Sequence, residues 1–173
     1  MDLHVNLQRK RGETALLLGA YKGHFRIVDR LLQHPDIQVN LQREGGDTAL
    51  FLAAQNGYES VVELLVAHKS INVNLAEENG QTPLIHSAQL GHASIVEVLL
   101  RHPDIEVNLS NKNGATPLIF GVKNGHAKVK QLLLKRPDIK TDKIEGIHPI
   151  CFTGVVVKVR IGTDPYNPLV KCS

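Results

Sequence analysis

Apolar residues recur along this chain with a fixed period. Leu16, Leu50, Leu84 and Leu118 stand 34 positions apart, and Ile37, Ile71, Ile105 and Ile139 keep the same step. Within one period the spacing is helical. Ile27, Val28, Leu31 and Leu32 in the first unit, and Ile95, Val96, Leu99 and Leu100 in the third, fall on one face of a helix. Polar and glycine positions share the period: Gly12, Gly46, Gly80 and Gly114; Thr14, Thr48, Thr82 and Thr116; Gly23, Gly57, Gly91 and Gly125. The stretch Asn79 to Leu109 shows the unit most clearly, as a turn, a short helix, a glycine stop, a second helix and a turn. A period of this length marks a stacked repeat array, so the pattern predicts an all-α solenoid of helix–turn–helix units.

The residues at each boundary agree. Thr82-Pro83 and Thr116-Pro117 set a hydroxyl N-cap before a proline at the first helical position, where its missing N–H is harmless. Thr14-Ala15 and Thr48-Ala49 keep the cap without the proline. Gly23, Gly57, Gly91 and Gly125 stop the first helix, where a left-handed residue closes the last turn. Arg101 and His102, or Lys135 and Arg136, put positive charge in the last turn of the second helix, and Pro35, Pro103 and Pro137 forbid its continuation. Two helices this short cannot bury their apolar faces alone, so stacking is obligatory.

Four units are read, at about 5–38, 39–72, 73–106 and 107–140, which makes residues 1–140 the array. Asp2-Leu3-His4-Val5-Asn6-Leu7-Gln8 matches Asp36-Ile37-Gln38-Val39-Asn40-Leu41-Gln42, so the chain opens inside a repeat junction with no polar cap ahead of it. The expectation is a piece of a longer array. The fourth unit departs from the others: Lys130 takes the slot of Val28, Val62 and Val96, which predicts weaker stacking beyond it. Residues 141–173 read as a degenerate fifth repeat or an irregular tail. Gly146-Ile147-His148-Pro149-Ile150 looks like a repeat start after a two-residue deletion, and Val155 to Ile161 alternates like a strand. Gly162 to Pro168 is turn-forming. A degenerate cap, a linker and the product of truncation all fit this tail.

Gly80-Gln81-Thr82-Pro83-Leu84, Gly91-His92, Ile95-Val96, Leu99-Leu100 and Val107-Asn108 resemble the ankyrin repeat. The resemblance spans residue 5 to about 140 in four registers. It implies fingers built on β-turns or hairpins between the helix pairs, and a protein-binding role for finger tips and the concave side of the first helices. The extra residue relative to the usual length of about 33 lies in the connection His102-Pro103-Asp104-Ile105-Glu106-Val107-Asn108. The family's histidine after Thr-Pro-Leu is absent from every unit: Leu17, Phe51, Ile85 and Ile119 stand there, so its hydrogen bond between repeats is lost or replaced by apolar packing. The resemblance also implies that the asparagine of the Val-Asn step, Asn40, Asn74 and Asn108, is open to hydroxylation.

Composition narrows the function. Aromatics make up 4% of the chain and tryptophan is absent, so the core must be built from Leu, Ile, Val and Ala. A net charge of +3 is too mild to imply nucleic acid or a membrane surface. No apolar run approaches the roughly 20 residues of a membrane helix, and the start lacks a secretory pattern. Cys151 and Cys172 both lie outside the repeats, so a reducing cytosol, or the nucleus, is expected. His24, His92 and His126 are equivalent positions, as are His34, His68 and His102; such residues spread along a solenoid and cannot converge on one ion, which leaves structural hydrogen bonding. His86 stands where Leu18, Leu52 and Phe120 stand and reads as a core histidine bonded to neighbouring backbone. His148 and Cys151, with Cys172, are too few for a zinc site. No phosphate loop, GxGxxG after a strand, or GxSxG elbow occurs. The chain is therefore read as no enzyme, with no cofactor and no metal.

Candidate contact residues are those that vary between units at finger and first-helix positions. They are Lys10, Arg11, Glu13, Tyr21 and Lys22 in unit one, and Glu44, Asp47, Gln55 and Asn56 in unit two. Unit three offers Glu78, Asn79, Gln81, Gln89 and Leu90, and unit four Lys112, Asn113, Ala115, Lys123 and Asn124. The row is basic at its ends and acidic around Glu44, Asp47, Glu77 and Glu78. Tyr21 and Leu90 are the best anchors, because aromatic and apolar side chains dominate binding hot spots. The expected function is a monomeric, non-catalytic scaffold for a protein partner. The alternative is a structural or regulatory piece of a larger protein whose activity lies elsewhere. Nucleic acid is disfavoured by the acidic centre.

Overall fold

Among the described residues eight α-helices follow one another in pairs: α1 (Ala15–Tyr21) and α2 (Phe25–Leu32), α3 (Ala49–Gln55) and α4 (Glu59–Val66), α5 (Pro83–Leu90) and α6 (Ala93–Leu100), α7 (Pro117–Lys123) and α8 (Ala127–Leu134). The structure, a computed structural model, describes residues 4–141. Gly146–Ile150, the alternating Val155–Ile161 stretch, the Gly162–Pro168 turns and the His148, Cys151 and Cys172 trio lie outside the described residues. Among the described residues no strand occurs, and no helix is long and apolar enough to cross a membrane.

Each first helix begins at its threonine for the expected reason. The hydroxyl oxygens of Thr14, Thr48, Thr82 and Thr116 accept from the backbone N–H groups of Leu17, Phe51, Ile85 and Ile119 at 3.1–3.3 Å. Those N–H groups would otherwise be orphans of the first turn. First helices pack on first helices in chain order, second on second, and each pair packs internally, which gives two layers. The core lies between the layers and between successive pairs. Leu50, Leu84 and Leu118 fill it, and Leu17, Phe51 and Ile85, which replace the family histidine, are buried there too.

Both ends of the stack differ from its interior. Val61, Ile95 and Val129 share one slot and are at most 1% exposed, whereas Ile27 in the same slot is 51% exposed. At the other end Lys130 is half-buried where Val62 and Val96 are sealed.

The connections between pairs carry a ladder that periodicity alone does not announce. The side-chain amides of Asn6, Asn40, Asn74 and Asn108 each donate at 2.7 Å to a backbone carbonyl 30 residues on: Asp36, Ser70, Asp104 and Asp138. The carbonyl oxygens of Asn6, Asn40 and Asn74 also accept from the N–H groups of Gln38, Asn72 and Glu106 at 2.9–3.0 Å. One side chain thus satisfies two backbone groups of the next connection and clamps one unit to its successor.

Candidate partner-binding surface

The fingers are two-armed turns closed by backbone hydrogen bonds. Arg9, Arg43, Glu77 and Asn111 donate their N–H groups to the carbonyls of Glu13, Asp47, Gln81 and Ala115 at 2.8–3.1 Å. Successive fingers are also joined: Glu44 N–H donates to Arg11 O at 2.8 Å, Glu78 to Gly45 O at 2.9 Å, and Lys112 to Asn79 O at 2.9 Å. These bonds hold the finger tips in one register, whatever side chains they carry.

Side chains refine each finger differently. In the second, Arg43 pairs with Asp47 at 2.7 Å and approaches Glu13 at 4.0 Å. In the third, the Glu77 carboxylate accepts from the N–H groups of Asn79 and Gln81 at 2.9 and 3.0 Å, and in the fourth Asn111 Oδ1 does the same for Asn113 and Ala115. The acidic centre expected from sequence is therefore partly engaged within the chain. Asp47 and Glu77 hold fingers, and Glu44 lies 3.9 Å from Arg11 in a solvent-exposed pair worth little. Lys10, Glu78 and Lys112 project as exposed charges with no ion pair among the described residues.

Behind the fingers, the last turns of the first helices present the other candidates. Tyr21 and Leu90 are 41% and 45% exposed, and Lys22, Asn56, Lys123 and Asn124 are also exposed. Gln55, Gln81 and Gln89 are half-buried, as are Glu13 and Asp47. Two asparagines have structural tasks: Asn56 Nδ2 caps its own helix at Leu52 O, 2.8 Å, and Asn124 Nδ2 donates to Gln89 O, 2.8 Å, across a unit boundary. Unit three concentrates buried polar atoms. Gln81 Oε1, Gln89 Oε1 and His86 Nδ1 find no hydrogen-bond partner among the described residues. Groups of this kind are costly unless paired.

His86 departs from expectation. It is not held by a backbone bond at Nδ1; its ring leans on Phe51, centroids 5.0 Å apart at 51°. Burial pushes its imidazole below the ordinary value, partly offset by the carboxylates of Glu77 and Asp47 and reinforced by His92. The other histidines divide by slot. Nδ1 of His34, His68 and His102 accepts from the N–H two residues on at 3.2–3.3 Å. At the fourth position Arg136 substitutes, donating to Leu100 O at 3.1 Å and gripping Asp138. Among the described residues, of the other slot only His126 makes a side-chain hydrogen bond, from Nε2 to Gln89 O at 3.0 Å. His92 instead sets its ring against Gly57. Among the described residues, no group of three or more His, Cys, Asp or Glu side chains is placed to hold a metal ion. The asparagine clamps are the structural residues that position-by-position reading underrated; the 34-residue recurrence of Asn6, Asn40, Asn74 and Asn108 was the available signal.

Paired helices in two layers, hydrogen-bonded fingers and side chains that change from unit to unit on a constant frame define a repeat solenoid with a variable surface. A family model described as Ankyrin repeats (3 copies) matches residues 2–77 and 67–143. The chain belongs to the ankyrin repeat family, whose members are generally protein–protein interaction modules and typically non-catalytic. Comparison with curated proteins finds no match.

Proposed function

We propose that this chain is a non-catalytic scaffold that binds a protein partner across its finger tips and the concave, solvent-facing side of its first helices. The observation that carries the reading is the row of finger-to-finger backbone bonds at Arg11–Glu44, Gly45–Glu78 and Asn79–Lys112. They fix the spacing of Lys10, Glu44, Glu78 and Lys112 without constraining which side chains occupy those tips. A pre-ordered row loses little conformational entropy on binding. Tyr21 and Leu90 supply apolar anchors beside it. The protein acts as a monomer in the cytosol or nucleus and needs no cofactor.

Affinity capture from cell lysate with mass spectrometry tests this. A partner held by the wild-type chain should be retained at least about tenfold less well by Leu90→Ala or Tyr21→Ala, with melting temperature unchanged. Equal retention by both variants would remove the assignment.

A further inference from the structure

We infer that the partner docks through an extended peptide segment laid across the last turns of the four first helices, with carboxylates at its two ends and an apolar side chain between them. This rests on the scaffold function proposed above and adds the chemistry of the occupant.

The last turns form one row. Each first helix runs out just before a glycine, and a ring of the next unit sits on that glycine: Tyr58 on Gly23, His92 on Gly57 and His126 on Gly91. These contacts join all three unit boundaries, and at the last one Asn124 Nδ2 also donates to Gln89 O at 2.8 Å. The two residues before each glycine therefore follow one another from unit to unit, as α1, α3, α5 and α7 pack side by side.

That row contains no carboxylate. Its charges are Lys22 at one end and Lys123 at the other, both exposed and without an ion pair among the described residues. Between them stand neutral side chains. Tyr21 and Leu90 are its exposed apolar members, and Lys22 Nζ lies 5.4 Å from the centroid of the Tyr21 ring, so cation and apolar surface share one patch. The finger tips repeat the same order of charge. Lys10 and Lys112 project from the first and fourth fingers, and Glu44 and Glu78 from the two between. Asp47 and Glu77, by contrast, are engaged within their own fingers.

This order selects the occupant. A segment acidic at both ends meets a lysine at each and keeps its charges from Glu44 and Glu78. A strand with an anion at every step, such as a nucleic acid, sets like charges against both glutamates, which is costly. Spacing sets the length. Packed helices lie about 8–10 Å apart, so the three steps from Lys22 to Lys123 make about 24–30 Å. An extended chain rises about 3.3 Å per residue and covers that distance in about seven to nine residues. Leu90 lies one step from Lys123, which puts the apolar residue about three positions from one acid.

The test is fluorescence anisotropy of the full chain with degenerate synthetic peptide pools of about ten residues. One pool fixes Glu at two positions about eight apart, with Leu about three from one or the other. A second pool moves both acids to the centre, and a third replaces them with Lys. The first should bind at least about tenfold more tightly than the others, and less tightly as salt is added. Lys22→Glu with Lys123→Glu should weaken it at least about tenfold at an unchanged melting curve, while the lysine pool gains. Leu90→Ala should weaken it as well. The inference is overturned if the first pool has no advantage on the wild-type chain, if the charge reversal or Leu90→Ala leaves its binding intact, or if oligothymidylate binds this row more tightly. The two proposals fail differently. A captured protein that is lost by Tyr21→Ala and Leu90→Ala but kept by the charge-reversed chain would retain the scaffold surface and remove the acidic segment alone.

Discussion

The ring of His126 lies where a side chain on Gly91 would have to go: a Cβ built on Gly91 meets His126 Nδ1 at 2.6 Å. Gly125 occupies the same slot one unit later and has the same left-handed backbone, φ 72° against 78°, but among the described residues nothing stands within 4 Å of its Cβ position. The pair separates two demands on one glycine. Gly125→Ala should cost only the left-handed strain, about 1–2 kcal/mol. Gly91→Ala should cost that and more, since the ring must leave and its bond to Gln89 O, 3.0 Å, is strained or lost. Urea unfolding of the two variants measures the difference, and equal losses would show that the ring yields freely.

The asparagine clamps make a second comparison. Asn74 Nδ2 donates to Asp104 O at 2.7 Å and its Oδ1 accepts from Glu106 N–H at 3.0 Å. Asn74→Ala removes both bonds and should destabilise by about 1–3 kcal/mol. Asn74→Asp keeps an acceptor for Glu106 but sets a carboxylate against the Asp104 carbonyl, so it should do no better than alanine. Thermal melts of both variants check this; an aspartate that melts like wild type would show that the donor half of the clamp is dispensable.

Much of this was legible in the residues because the features are local. A threonine before an apolar run is a cap wherever it occurs, and the Thr14, Thr48, Thr82 and Thr116 hydroxyls all bond as their sequence positions imply. Stacking follows equally from short amphipathic helices that cannot stand alone. What escaped were contacts across a unit boundary. Periodicity says that Gly23 and Tyr58 belong to adjacent units, but not that the ring rests on the glycine. Likewise Glu77 reads as an exposed acid in an acidic patch, and only the turn geometry turns its carboxylate back onto two N–H groups of its own finger. His86 differs from its sequence reading for a related reason: equivalence to Leu18 and Leu52 places it against the neighbouring unit, where Phe51 offers a ring and, among the described residues, no hydrogen-bond partner reaches Nδ1.

The ends of the stack should respond to mutation unlike its middle. Ile95 is 1% exposed and Ile27 is 51% exposed in the equivalent slot. Ile95→Ala leaves a cavity between units and should cost about 2–5 kcal/mol. Ile27→Ala leaves none and should stay within about 1 kcal/mol. Chemical denaturation of the two variants reads the contrast directly. A large loss at Ile27 would mean that something covers this face in solution.

His86 ties stability to pH, and the sign follows from its surroundings. Burial favours the neutral imidazole, so the folded value lies below 6.5, its ordinary value. Between those two values the unfolded chain binds more protons than the folded one, and stability rises with pH across that interval. The contribution is fully present above 6.5 and is lost as the pH falls toward the folded value. His86→Leu restores the residue that units one and two carry at this slot, as Leu18 and Leu52. It removes a buried nitrogen without a partner, so it should stabilise by roughly 1 kcal/mol at neutral pH. Below pH 6 the gain should grow, because the variant has no imidazole to charge against Phe51. Melting temperatures of both chains from pH 5 to 8 decide the point: parallel curves would place the titration elsewhere.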